Sequence, residues 1–139
     1  MTGRFKVSVP MSTAQELIED GCTLALHVRP ECEPLYLKRY ELPSEYSLVS
    51  SVLEAEARRF LKQGIIPVCG KILGSSIEGG EVNGATYAQL VAKISDSHWW
   101  IARLIAKPEA KFYFLLHGHG DRDYLMLATA IFSEFYILE

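Results

Sequence analysis

Two histidines and two carboxylates lie within seven residues of one another in "HGHGDRDY", residues 117–124, which follows the apolar run "KFYFLL". If the chain stays extended through this stretch, side-chain direction repeats every two residues. The imidazoles of His117 and His119 then share a face, and Asp121 follows them. Two imidazoles and a carboxylate, with Asp123 as a fourth ligand or general base, suit zinc or manganese, and open coordination positions would take water or substrate. A metal-bound water of lowered pKa would hydrolyse an ester, amide or phosphoester. The same letters also describe a structural joint: Gly118 and Gly120 permit a tight turn, and Asp121 or Asp123 accepts the free N–H groups that open the next helix. A helix N-terminus at that joint is a third possibility, as an anion cradle.

Two families give a measure of the motif. "LLHGHGD" resembles the strand-to-loop motif of the metallo-β-lactamase fold, His-x-His-x-Asp-His after an apolar strand. Arg122 stands at the place of the last histidine, however, and no histidine follows His119, so the chain departs from that family. "HGH" with Tyr124 downstream is similar in outline to the His-hydrophobic-His endonucleases of rolling-circle replication, and "SDSHWW" to a Trp-Trp stretch of some phage initiators. That resemblance implies a metal held by the histidines and a tyrosine nucleophile. Gly118 is not hydrophobic and the Tyr-x-x-Lys context is missing.

Trp99 and Trp100 form a second constellation. Adjacent residues cannot both face one narrow helical stripe, so either one indole is exposed or both pack in a two-layer core, one on the sheet and one under a loop. Beside Arg103 and Lys107 an exposed ring is the kind of rigid anchor enriched at protein interfaces, so Trp99, Trp100 and Arg103 are the candidate partner-binding residues. An aromatic ligand pocket of Trp99, Tyr113 and Phe114 is an alternative use of the same rings. "CGKILGSS" lacks the order of a P-loop, Cys69 reads as a small buried hydrophobe, and His27 reads as a core or rim residue.

These side chains must be positioned by the surrounding elements. "RFKVSV" (4–9) alternates and reads as a strand. Thr13 and Glu16 at capping-box spacing, with Gly21 as terminator, predict a short helix over 12–21. "CTLALHV" and "PLYLKRYEL" alternate around "RPECEP" and predict an antiparallel hairpin. The clearest helix is "SEYSLVSSVLEAEARRFLKQG", with Ser44 as cap and Gly64 as terminator, and "IIPVCGKIL" resumes strand character. The result is an α+β fold whose first part has the β-α-β-β-α-β order of a ferredoxin-like unit. "GSSIEGGEVNGA" (74–85) is expected as a flexible Gly/Ser-rich loop. After it, Tyr87, Val91, Ile94, His98, Ile101 and Ile105 keep helical spacing, with "SDS" as a break. "AKFYFLLHG" then predicts a central strand and "DYLMLATAIFSEF" a C-terminal helix packed on the sheet. "FYILE" is expected to dock in the core or against another subunit.

A chain of 139 residues, 49% hydrophobic, has apolar side chains enough for one α+β domain over 1–139. Three cysteines without a Cys-x-x-Cys pair imply neither a disulfide framework nor a zinc knuckle. A formal net charge of −3 disfavours nucleic acid as a partner. With no apolar segment of spanning length, a cytoplasmic protein is expected. The reading with the fewest demands is a macromolecule-binding module of inhibitor, immunity or accessory type. Its partner would be another protein, with a homodimer also compatible. The competing reading is a metal-dependent hydrolase or nuclease built on the HGHGD segment, with further ligands drawn from distant parts of the chain, for which His27, His98 and the many Asp and Glu residues are candidates.

Overall fold

A computed structural model describes residues 4–9, 12–17, 23–29, 32–41, 50–63, 72–108 and 110–138. The described elements run β1 (Arg4–Val9), β2 (Ser12–Leu17), β3 (Thr23–Leu26), β4 (Leu35–Glu41), α1 (Ser50–Gln63), β5 (Gly74–Val82), β6 (Ala85–Ser95), β7 (His98–Ala106), β8 (Phe112–Gly120), α2 (Arg122–Ser133) and β9 (Phe135–Leu138). Six strands form one antiparallel sheet in the order β3-β4-β8-β7-β6-β5, and three form a second in the order β2-β1-β9. This is an α+β fold with a mostly antiparallel sheet and two helices packed on it. Among the described residues no helix is long and apolar enough to cross a membrane.

The large sheet is covered on both faces. On one, Leu53, Ala57 and Phe60 of α1 pack on Ala88, Leu90, Ala92, Trp100, Ala102, Leu104, Tyr113 and Leu115. On the other, Tyr124, Ala128, Ile131 and Phe132 of α2 join Phe5 and Val7 of β1 and Phe135 and Ile137 of β9 over Ile101, Ile105, Phe114 and Leu116. Phe5 stacks on Phe135 at 5.6 Å between ring centroids and meets Phe114 edge-on at 6.1 Å, so the small sheet is fastened to the large one by aromatic contacts. Strands buried on both faces need apolar residues at every position rather than at alternate ones. β7 and β8 are such strands, with Ile101 to Ala106 and Phe112 to Leu116 all buried.

Four expectations change. Over Ser12–Leu17 the expected 12–21 helix is replaced by β2, which pairs antiparallel with β1 from Val9↔Ser12 to Arg4↔Leu17, while 18–21 lie outside the described residues. An isolated helix of two or three turns is marginal, and a full backbone ladder to an adjacent strand outweighs a capping box. The ferredoxin-like order is not confirmed: among the described residues four strands precede the first helix. The expected flexible loop at 74–85 is strand β5 and a tight turn. Asn83 and Gly84 both have positive φ, 53° and 75°, the backbone of a two-residue type I′ hairpin for which Asn-Gly is the preferred pair.

The helical stripe over 87–105 is two strands, β6 and β7, joined at Asp96 and Ser97. Apolar residues at every position contain a period of 3.6 as readily as one of 2, so the periodicity had no power to discriminate there. Of the strand expected over "IIPVCGKIL", only Ile72 and Leu73 are among the described residues, and neither is in a strand. Ser44, Gly64 and Cys69 also lie outside them. β3, β4, α1, β8 and α2 stand as read. Phe135 and Ile137 are docked in the core, as expected of "FYILE".

Candidate functional site

β8 continues through Gly120, so the alternation expected of residues 117–120 is realised and divides the motif between the two faces of the sheet. The histidines take the α1 face. His117 lies opposite Ala102 and His119 opposite Trp100 across the β7–β8 ladder. The Trp100 ring lies 6.5 Å from the His117 ring and 4.5 Å from the His119 ring. Tyr36, paired with His117 across β4–β8, closes the other side at 5.6 Å. His98, at the start of β7, adds a third imidazole, and its Nε2 is 3.0 Å from His119 Nδ1. Two aromatic rings and three imidazoles therefore form one continuous patch at this end of the sheet.

The glycines take the opposite face, where they have a definite task. A Cβ at Gly118 would collide with the Tyr124 hydroxyl and stand 3.0 Å from Leu35 Cδ2, and one at Gly120 would stand 2.6 Å from Tyr124 Cβ and Cγ. Tyr124, on the first turn of α2, lies flat on the bare backbone of β8, and its hydroxyl donates to the Pro34 carbonyl oxygen at 3.1 Å. Burial holds the Tyr124 phenol well above its usual pKa. Asp121 is the N-cap of α2: its backbone is extended and its Oδ1 accepts from the Tyr124 N–H at 2.9 Å. The helix start is thus capped by its own chain. "HGHGDRDY" alternates histidines for one face with space for a tyrosine on the other, followed by a cap.

Electrostatics separate the three imidazoles. His117 Nδ1 is buried and has no hydrogen-bond partner among the described residues. Burial first, then the charges of Lys38 and His119, push its pKa down to about 4, so the ring is neutral near pH 7. His119 is also lowered, by burial and by His98, with Glu33 acting in the opposite direction. Between His98 Nε2 and His119 Nδ1 one nitrogen donates and the other accepts, which two neutral rings or one neutral and one charged ring can satisfy. Among the described residues no group of three or more His, Cys, Asp or Glu side chains converges as metal donors. Of the four residues proposed from sequence as ligands, His117 and His119 share a face, Asp121 caps α2, and Asp123 is exposed on the first turn of α2.

The two tryptophans fall on opposite faces, as neighbours on a strand must. Trp100 is 7% exposed and belongs to the α1-side core. Trp99 is half-buried and lines an open cleft of about 430 Å³ with Asp96, Ser97, Asp121, Arg122 and Asp123. The lining carries three carboxylates and one guanidinium.

Arg103, expected at the surface, is instead 6% exposed on the α2 side. Its Nε and one terminal nitrogen both donate to Gln89 Oε1, at 2.9 and 2.5 Å. Its guanidinium lies 4.2 Å from the Tyr87 ring centroid and 5.4 Å from that of Phe132. No carboxylate among the described residues is at ion-pair distance from it. Burial lowers its pKa, with Tyr87 and Glu78 opposing, yet a guanidinium remains charged at any ordinary pH. Of the rings suggested as a ligand pocket with Trp99, Tyr113 and Phe114 are both buried, in different cores.

Tyr36 was not singled out from the sequence as a partner of the motif, whereas His98 was, with His27, a candidate further ligand whose place beside His119 was not foreseen. The signal for Tyr36 was the register of the β4–β8 pair, which sequence alone does not give. The signal for His98 was hidden by the helical reading of 87–105. No protein-family model matches the chain, and no curated protein matches it, so the functional reading rests on the chemistry of these side chains.

Proposed function

We propose that the protein is a binding module that takes a cationic side chain of a partner protein into the Trp99 cleft. The observation that carries this is the composition of the cleft: an indole in an open cavity bordered by Asp96, Asp121 and Asp123, with Arg122 as the one basic residue in the lining. The face of an indole attracts a cation by its quadrupole, and carboxylates at the rim add Coulomb attraction and hydrogen-bond acceptors for an ammonium or guanidinium group. A volume of about 430 Å³ is in the range of pockets that hold one large side chain or a small ligand. The formal net charge of −3 favours encounter with a basic partner.

Asp121 keeps its cap while facing the cleft, so α2 holds one wall rigid. Matched peptides carrying Lys, Arg, trimethyl-lysine or norleucine at one position, titrated against tryptophan emission, test the reading. Saturable binding of the cationic peptides, weakened roughly 30-fold by Trp99→Ala as expected for an interface anchor and further reduced by Asp123→Asn, supports it. Equal binding of norleucine and lysine peptides, or indifference to Trp99→Ala, overturns it.

A further inference from the structure

Two nitrogen atoms from separate strands meet on the α1 face: His98 Nε2 at the start of β7 and His119 Nδ1 near the end of β8, 3.0 Å apart. From this geometry we infer a two-histidine site for a divalent transition metal that prefers tetragonal coordination, copper(II) or nickel(II), with water completing the shell. The separation of the nitrogens is an ordinary hydrogen-bond length that also lets both bind one ion at neighbouring positions. Imidazole nitrogens bind such ions at about 2.0–2.1 Å, and two nitrogens 3.0 Å apart then subtend about 91–97° at the ion. That is the angle between neighbouring positions of a square or an octahedron, whereas a tetrahedral zinc ion would need the nitrogens about 3.3 Å apart. Nitrogen sites of this kind also bind copper(II) most tightly of the first-row divalent ions, with nickel(II) next.

The surroundings suit a metal held at a rim rather than in a closed cage. The two rings are tilted by 57° with centroids 5.0 Å apart, and both residues are only half-buried, which leaves solvent access for water ligands. Trp100 packs at 4.5 Å against His119, which fixes that ring from behind. The Glu33 carboxylate acts on His119 as an attractive charge for a cation. His117 is not a ligand in this arrangement: it sits deeper, between Trp100 and Tyr36, with Lys38 acting on it. The metal and a shared proton compete for the same two nitrogens. The hydrogen bond between them is the metal-free state of the same pair, and acid displaces the ion.

Trp100 supplies the reporter, since copper(II) bound beside His119 quenches an indole at this range. Copper(II) chloride and, separately, nickel(II) chloride are titrated into the full chain while tryptophan emission is followed, with electron paramagnetic resonance of the copper adduct. The expected result is saturable 1:1 binding with two imidazole nitrogens in the copper spectrum. Affinity falls at least about tenfold in His98→Gln and in His119→Gln and is unchanged in His27→Ala, whose histidine is exposed and remote in sequence from the pair. Quenching survives Trp99→Phe and is largely lost in Trp100→Phe. Should His119→Gln fail to fold, His98→Gln and the nitrogen count of the wild-type spectrum decide alone. Absence of saturable binding, binding indifferent to His98→Gln, or a spectrum with fewer than two imidazole nitrogens overturns the inference.

Discussion

Replacing Gln89 by leucine is the sharpest test of how this core tolerates a charge. Gln89 Oε1 is the acceptor for two donors of Arg103, and both residues are buried, at 7% and 6% exposure. Leucine conserves volume but removes both bonds, leaving a guanidinium under α2 with two aromatic faces as its remaining partners. Stranding a buried charge in this way costs about 3–5 kcal/mol, and the cation–π contacts with Tyr87 and Phe132, present before and after the substitution, do not offset it. Arg103→Met removes the charge and leaves an unsatisfied amide oxygen, which costs about 1–3 kcal/mol. The double variant removes both polar groups and is expected within about 1 kcal/mol of the parent, because replacing a whole buried polar pair by apolar residues is close to neutral. Urea denaturation of the four proteins, followed by tryptophan emission, gives the coupling energy: the single losses sum to about 4–8 kcal/mol against about 1 kcal/mol or less for the double variant, so it is expected at about 3 kcal/mol or more. For a chain of this length the loss in Gln89→Leu corresponds to a fall of roughly 10–15 °C in Tm. A Gln89→Leu protein within 1 kcal/mol of the parent, or a double variant no better than the single one, would refute the reasoning.

Other outcomes follow from the same structure. His117 has its folded pKa lowered to about 4 from an unfolded value of 6.5, so the unfolded chain binds the extra proton first. Stability is then lost as pH falls below about 6.5 and levels off below about 4, with a total of about 3 kcal/mol from this group. In metal-free protein His117→Leu should flatten that stretch of the stability-against-pH curve, and an unchanged curve would count against the burial argument. Tyr113 and Tyr124 have pKa values raised by burial, so stability should decline as pH rises above about 10. Both phenols should ionise only with unfolding in an ultraviolet titration. Gly118→Ala should cost about 3 kcal/mol or more by overpacking against Tyr124 and Leu35, and less in a Tyr124→Phe background, where the nearest clashing atom is gone. Asn83→Ala should cost about 2 kcal/mol: it strains a positive φ and removes two bonds from Asn83 Nδ2, at 3.0 Å to the Ser133 carbonyl oxygen and 3.2 Å to that of Phe135. Calorimetry would measure the loss.

How much was legible in the sequence depends on how each segment meets solvent. β1, β3 and β4 alternate because the faces of those strands differ, and α1 shows its stripe because one side is exposed. β6 and β7 have neither contrast, since Ala88, Leu90 and Ala92 face α1 while Val91 and Ile101 belong to the opposite core, and an apolar run of that kind fits any period. Asn83-Gly84 is a strong hairpin signal that was masked by the glycines and serines of β5 around it. In the candidate site, the parity of His117 and His119 and the cap at Asp121 were both readable. His98 was a candidate further ligand, but its contact with His119 was not readable, nor was the burial of Arg103, because both depend on β7 being a strand and on which strand lies beside it.

β1 lies at the centre of the small sheet, with β2 on one side and β9 on the other, and Val7 is paired with Phe135. During synthesis, residues 4–17 leave the ribosome as a hairpin whose second edge is bare, and the strand that covers it is made more than a hundred residues later. While residues 135–138 remain in the exit tunnel, neither the small sheet nor the Phe5–Phe114–Phe135 contacts can close. The nascent chain must therefore carry an open β edge and an exposed aromatic face until residues 135–138 emerge, and this interval is when it most needs a chaperone's protection against pairing with other chains.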